Sequence, residues 1–224
     1  MSVRERFNGE LNRVDGELFR MGEIAVDSIK KAFEALKNLD GKPIAKIKNN
    51  DAKLYELSKE IDKDCVKLIA LQAPVAGDLR LITSALKLTT DLDRIGRYGL
   101  DIARQVETMI EEKEDHFKRL VGLERLTELV SQMVSIAVNS FIERDVDSAK
   151  EVFEIEEEVD ALYEEIFREV LTYMAEDLRK VSIGARYILI GRYLERVADH
   201  ACNISERTIY VVTGESPLWS IYHM

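Results

Sequence analysis

The sequence predicts an all-α protein made of two tandem three-helix bundles, and three observations carry that prediction. Apolar residues recur at alternating three- and four-residue spacings through most of the chain, the pattern of helices packed lengthwise. Breakers are sparse, with 3 prolines and 11 glycines in 224 residues, while charged residues make up 33% and hydrophobic ones 46%, a balance typical of helical proteins with one solvated face per helix. The second half also repeats the first. LTTDLDRIGRYGLDIA aligns with IGRYLERVADHACNIS at an offset of 102, and DAKLYEL aligns with EEEVDAL at an offset of 105. Asp51 then stands at the position of Glu156, Leu54 at that of Val159, Asp93 at that of Glu195 and Ile95 at that of Val197. Two aligned helix pairs with matching polar positions indicate an internal repeat of about a hundred residues.

In chain order, the first helix is predicted from about Val3 to Asn38, with a seam at Phe7, Leu11, Val14, Leu18, Met21, Ile24 or Ala25, Ile29, Ala32 and Leu36. Asp40-Gly41 ends it. Pro43 suits the first turn of the second helix, whose seam passes Leu54, Leu57, Ile61, Cys65, Leu68 and Leu71 before Pro74 stops it. QAPVAGDLR is the sharpest break, and Asp78 is placed to cap the third helix by accepting first-turn amides. That helix carries Ala85, Leu88, Leu92, Ile95, Gly99, Ile102, Val106 and Met109. The charged stretch EEKEDHFKR leads to a fourth helix, about Leu120 to Glu143, and Arg144-Asp145 turns the chain into a fifth with Ile155, Val159, Leu162, Ile166 and Val170. The sixth runs from near Ser182 to Thr213-Gly214, along a seam of Ile190, Leu194, Val197, Ala201, Ile204 and Thr208. The domain division is 1–112, 113–214 and a tail, 215–224, whose Trp219 packs either on the bundle or on another subunit.

Charge and segment type narrow the function. A net charge of −10 without a basic cluster argues against a nucleic-acid surface. The N-terminus has no apolar signal region, and the longest uncharged run, Leu129 to Ile142, is 14 residues long and partly polar, too short to span a bilayer. A cytoplasmic protein is expected. Cys65 and Cys202, the only cysteines, read as reduced core thiols.

The candidate chemistry lies in paired carboxylates. Glu195 and Asp199 are four residues apart, so they stack on one helix face, beside Ile188, Gly191, Ala198 and Cys202. Two readings stay open: a cation site, since a cation best offsets two stacked charges, or a rim pair bound to Arg192 or Arg196. Glu156 and Asp160 on the fifth helix repeat the spacing, within a segment, 151–169, of nine acids and one base, Arg168. Most of those nine belong to a solvated face. Two such pairs on adjacent helices supply the all-oxygen donor set of hard or borderline cations. The first repeat is poorer, with Asp51 followed by Tyr55 and Asp93 followed by Arg97. Arg97 lies four residues from both Asp93 and Asp101, where its guanidinium takes the role of the missing cation or simply forms surface pairs.

PVAGDLR, DLDRIGRYGLDIA, EVDALYEEI and YLERVADHACNI, in this order and spacing, resemble the PhoU family of phosphate-specific transport regulators across nearly the whole chain. The resemblance implies two three-helix bundles, packed in the manner of spectrin repeats and related by a pseudo-twofold. It also implies a Glu/Asp-x-x-x-Asp signature that binds multinuclear clusters of iron, zinc or another divalent or trivalent metal in some members. By position the signature reaches Glu156, Asp160, Glu195 and Asp199 in full, and only Asp51 and Asp93 in the first repeat. The implied role is that of a cytoplasmic, often dimeric, non-enzymatic negative regulator. Its implied partners are the ATPase subunit of the phosphate ABC transporter and, where one exists, a sensor histidine kinase. Two alternatives compete: a carboxylate-bridged di-metal bundle enzyme and a metal-free helical interaction module. The enzyme needs Glu-x-x-His on two helices, which this chain lacks, and His200 points about 100° away from Asp199. There is no P-loop, dinucleotide turn or Ser/His/Asp set to support nucleotide or hydrolase chemistry.

Overall fold

The computed structural model describes residues 3–72 and 74–215; Trp219 and the rest of the tail beyond Glu215 lie outside the described residues. Six long α-helices follow one another: α1 Val3–Asn38, α2 Ile44–Gln72, α3 Ala76–Glu111, α4 Val121–Glu143, α5 Val146–Glu176 and α6 Val181–Thr213, with a short 3₁₀ turn at Leu178–Lys180. No strand occurs among the described residues. α1, α2 and α3 pack together as one bundle and α4, α5 and α6 as the other, while α3 meets α6 and α1 meets α4 between them.

Local chemistry sets the helix ends. Leu39 takes a left-handed φ of 47° after α1, and the Asp40 carboxylate accepts the Lys42 amide at 3.0 Å to close the turn. Arg144 is left-handed at the end of α4, φ 59°, a conformation that costs a non-glycine residue energy. Two contacts offset that cost: its guanidinium grips Asp15 of α1 at 2.9 and 3.0 Å and donates to the Phe141 carbonyl. Asp145 then caps α5, accepting the amides of Asp147 and Ser148 at 3.0 and 3.3 Å. Gly214, at φ 79°, ends α6.

Asp78 departs from expectation. The N-cap is Val75, so Asp78 occupies the third helical position, where its carboxylate reaches back to the Val75 amide at 3.4 Å. This is one half of a capping box, because valine has no side-chain acceptor to complete the other. Arg4 of α1 holds both Asp78 oxygens at 2.6 and 3.0 Å, and chiefly through this contact keeps the carboxyl below its usual range. The seam of α2 also stops earlier than its spacing suggests. Leu54, Leu57, Ile61, Cys65 and Leu68 are buried, but Leu71, in the last turn before Pro74, is 74% exposed. Of the two candidates on α1, Ala25 is buried and Ile24 only partly so.

The repeat is visible in the packing. Leu88 and Ile190, Leu92 and Leu194, Ile95 and Val197, and Ile102 and Ile204 are buried at equivalent positions of α3 and α6. Contacts between these helices are exchanged across a pseudo-twofold. Asp91 holds His200 at 2.8 Å, and the equivalent positions, Tyr193 and Tyr98, stack with centroids 5.9 Å apart. α6 runs antiparallel to α3, its start bound to the end of α3 by Arg186 and Gln105 at 3.3 Å.

The connection from α3 to α4 is pinned along its length. Arg186 of α6 holds Glu112 at 2.6 Å and Glu114 at 2.9 Å. His116 bridges the Leu36 carbonyl at 2.9 Å and the Tyr187 hydroxyl at 2.6 Å. A carbonyl only accepts, so Nε2 donates to Leu36, and in the neutral ring Nδ1 accepts from the tyrosine.

Candidate functional site

Glu156 and Asp160 lie on α5, and Glu195 and Asp199 on the facing side of α6. Small residues on α6 let the helices approach closely: a side chain on Gly191 would meet the Tyr163 ring of α5 at 3.1 Å. The four acids sit at different depths. Glu156 is 8% exposed, the Glu195 side chain 13% and the Asp199 side chain 43%, while Asp160 is exposed.

Electrostatics couples three of these acids directly. Burial, then the charge of Asp199, raises the Glu195 carboxyl to about 7, with Asp160 adding to the rise and Arg192 and Arg196 opposing it. Asp199 is raised as well, by burial first and by Asp160, against the pull of Arg196, Arg192 and His200. The buried Cys202 thiol is pushed up by desolvation and then by Glu156, Asp199, Glu206 and Asp160. Glu156, Asp160 and Asp199 thus act on Cys202, and Glu195 is coupled to two of them, Asp199 and Asp160. Cys202 and Cys65 are both free thiols, and burial pushes Cys65 up to about 12, so neither is a ready nucleophile.

Arginines answer part of this charge. Arg192 donates to Oε1 of Glu195, and Arg196 lies 3.6 Å from Oδ2 of Asp199. The second oxygen of Glu195, Oε2, is buried with no hydrogen-bond partner. Donor type and this unmet oxygen suit a hard cation. The spacing does not yet, because no group of three or more His, Cys, Asp or Glu side chains among the described residues is drawn together closely enough to hold one.

The first repeat differs as its sequence implies, with one correction. Arg97 lies 3.6 Å from Asp93 and 4.0 Å from Asp51, bridging α3 and α2. Asp101 is not its partner; Arg104 holds that acid at 2.6 Å. Asp51 and Asp93 each keep one buried Oδ1 without a hydrogen bond. Tyr55, at the position of Asp160, is half exposed, with the Lys59 ammonium 3.9 Å from its ring centre.

Sequence reasoning treated His200 only as a weak ligand and passed over His116. Each is held by a residue far away in the chain, Asp91 for one and Leu36 with Tyr187 for the other. Their one local signal is a histidine beside an apolar seam.

Fold and site define a class of protein: a tandem helical-bundle protein with carboxylates on two neighbouring helices of each repeat, four in the second and two, bridged by Arg97, in the first. The PhoU domain matches the chain twice, over residues 18–106 and 123–208. A phosphate-specific transport system accessory protein PhoU homolog from Clostridium acetobutylicum is 35% identical over 214 residues, spanning 95% of this chain and 97% of that protein. The crystal structure of PhoU from Pseudomonas aeruginosa superposes with a TM-score of 0.88 at 35% identity, covering 93% of this chain and all of that one. The phosphate transport system regulatory protein PhoU from Streptococcus pneumoniae gives a TM-score of 0.86 at 27% identity over 94% and 99% of the two chains. The chain belongs to the PhoU domain family. No helix among the described residues is long and apolar enough to cross a membrane.

Proposed function

We propose that this protein is a non-enzymatic accessory regulator of phosphate uptake, acting as a negative regulator on the ATPase subunit of the phosphate ABC transporter and, where the cell has one, on its sensor kinase. The observation that carries this reading is the double match of the family, supported by relatives of the same length named as phosphate-transport accessory proteins. In this reading the protein works in the cytoplasm as a homodimer and meets the membrane through the transporter, not through lipid. Its acidic charge of −10 is unsuited to anionic headgroups.

The same reading places a metal site in the second repeat, with Glu156, Asp160, Glu195 and Asp199 as ligands for iron, zinc or a similar cation. Asp51 and Asp93 form a poorer counterpart in the first. When bound, such a cation supplies positive charge that draws α5 and α6 together. A metal-free interaction module is the second reading, favoured by the ion pairs of Arg192 and Arg196 with these acids. Elemental analysis of the protein as purified separates the two.

The regulator reading is tested by capturing the purified transporter ATPase subunit on the immobilised full chain. Saturable binding is the expected result. Absence of binding at micromolar concentrations, with both proteins folded, would overturn it.

A further inference from the structure

The turn between α2 and α3 carries a run of uncovered apolar side chains. Leu71 is 74% exposed, Val75 64% and Leu79 41%, and Val75, the N-cap of α3, lies one helical turn before Leu79. Next to Leu79, Arg80 is left incomplete: its Nε is buried with no hydrogen-bond partner among the described residues, an arrangement that folded chains rarely leave unmet.

The end of α6 arrives at the same place. Gly214, with its left-handed φ of 79°, turns the chain off the helix, and the Glu215 amide donates to Thr213 Oγ1 at 3.1 Å to hold the turn. A Cβ built on Gly214 would lie 3.8 Å from the guanidinium carbon of Arg80. The segment that follows, SPLWSIYHM, runs from Ser216 to Met224 without an Asp, Glu, Lys or Arg, in a chain that is 33% charged. It holds Leu218, Trp219, Ile221, Tyr222 and Met224, whereas a segment that stays in water is typically polar and charged.

We propose that residues 216–224 fold back onto the α2–α3 turn of their own chain, covering Leu71, Val75 and Leu79 and bringing a backbone carbonyl to Arg80. The turn is then open to another molecule only when the tail leaves. Reach selects this turn, since nine residues span at most about 30 Å. Leu178 and Val181, the exposed apolar pair at the other end of α6, lie a full 33-residue helix away, about 50 Å at 1.5 Å per residue. Area selects the tail over a second copy of the chain. Three side chains offer a few hundred Å², against about 800 Å² per partner in a stable protein–protein interface.

Trp219 is the only tryptophan, so its fluorescence reports on the tail alone. The test compares emission and acrylamide quenching of the full chain, of a Leu71→Ser, Val75→Ser, Leu79→Ser triple variant and of Arg80→Gln, with circular dichroism to follow helix content. The three replaced side chains face solvent, and serine is a good N-cap at position 75, so the helices should be kept. The parent is expected to emit at short wavelength and to be quenched several-fold less than free tryptophan. Both variants should shift to longer wavelength and quench more readily, the triple variant the more. A parent spectrum typical of indole in water would overturn the proposal, as would a short-wavelength spectrum that the triple variant leaves unchanged. Parent emission that moves to longer wavelength on dilution, in step with a halving of mass, would make a second copy the occupant and equally overturn it. If the triple variant loses its helices, Arg80→Gln decides, and quenching equal to the parent's would count against the docked tail.

Discussion

Glu195 keeps a buried oxygen without a donor, and its carboxyl is raised to about 7, above an ordinary value of 4.5. The folded chain therefore holds a proton that the unfolded chain releases between those two values. Its stabilising effect is complete below about pH 4.5 and lost as pH rises through 7. In chelator, the melting temperature should fall across that window, and Glu195→Gln should flatten the fall; an unchanged slope in the variant would place the titration elsewhere. A bound cation removes the same cost by another route. Mn²⁺ should thus raise the melting temperature of the parent by several degrees, an effect lost in Glu195→Gln, Asp199→Asn and largely kept in Asp93→Asn, where Arg97 already supplies the charge. Equal loss in both variants, read by calorimetry, would mean that the repeats do not differ.

At this scale the acids were legible in the sequence and their partners were not. A spacing of four places Glu195 over Asp199, but whether Arg192 turns towards Glu195 or towards water is a rotamer choice that no spacing encodes. Asp101 makes the same point: Arg97 and Arg104 flank it at four and three residues, and it pairs with Arg104.

Between elements, α2 packs tightly against α3 in the first repeat. A methyl group built on Gly96 would fall 2.1 Å from Leu54 Cδ1, and Leu54 is fully buried. The second repeat places Ala198 and Val159 at these positions, exchanging a smaller helix partner for a larger helix surface. Gly96→Ala should therefore destabilise the fold by about 1–3 kcal/mol through overpacking. Adding Leu54→Val, which copies the second repeat, should restore most of that loss. Urea unfolding measures both, and a double variant no more stable than Gly96→Ala would reject the compensation.

Element identity was readable because the seams are long and the period is strict, and α1 runs over the predicted residues. The failures fall at ends. Leu71 keeps the period but is exposed in the last turn of α2, and Asp78 lies three residues inside its helix because Val75, with no capping side chain, starts it. A period reports which face is apolar; how fully each position on that face is covered depends on segments distant in the chain.

For the whole molecule, the pseudo-twofold governs how the bundles dock. Contacts exchanged between α3 and α6, Asp91 with His200 and Tyr98 with Tyr193, tie the bundles together. The repeat could be seen in the sequence through its offsets of 102 and 105. The antiparallel docking of its halves could not, because the pairs that specify it, such as Arg144 with Asp15, join residues 129 apart in the chain.

The central claim is that this scaffold restrains phosphate uptake, and uptake of labelled phosphate in phosphate-replete cells tests it most directly. Cells lacking the protein should accumulate phosphate several-fold faster than the parent strain, and the full chain supplied in trans should restore the slower rate. Uptake unchanged by the deletion, with transporter levels equal, would contradict the account.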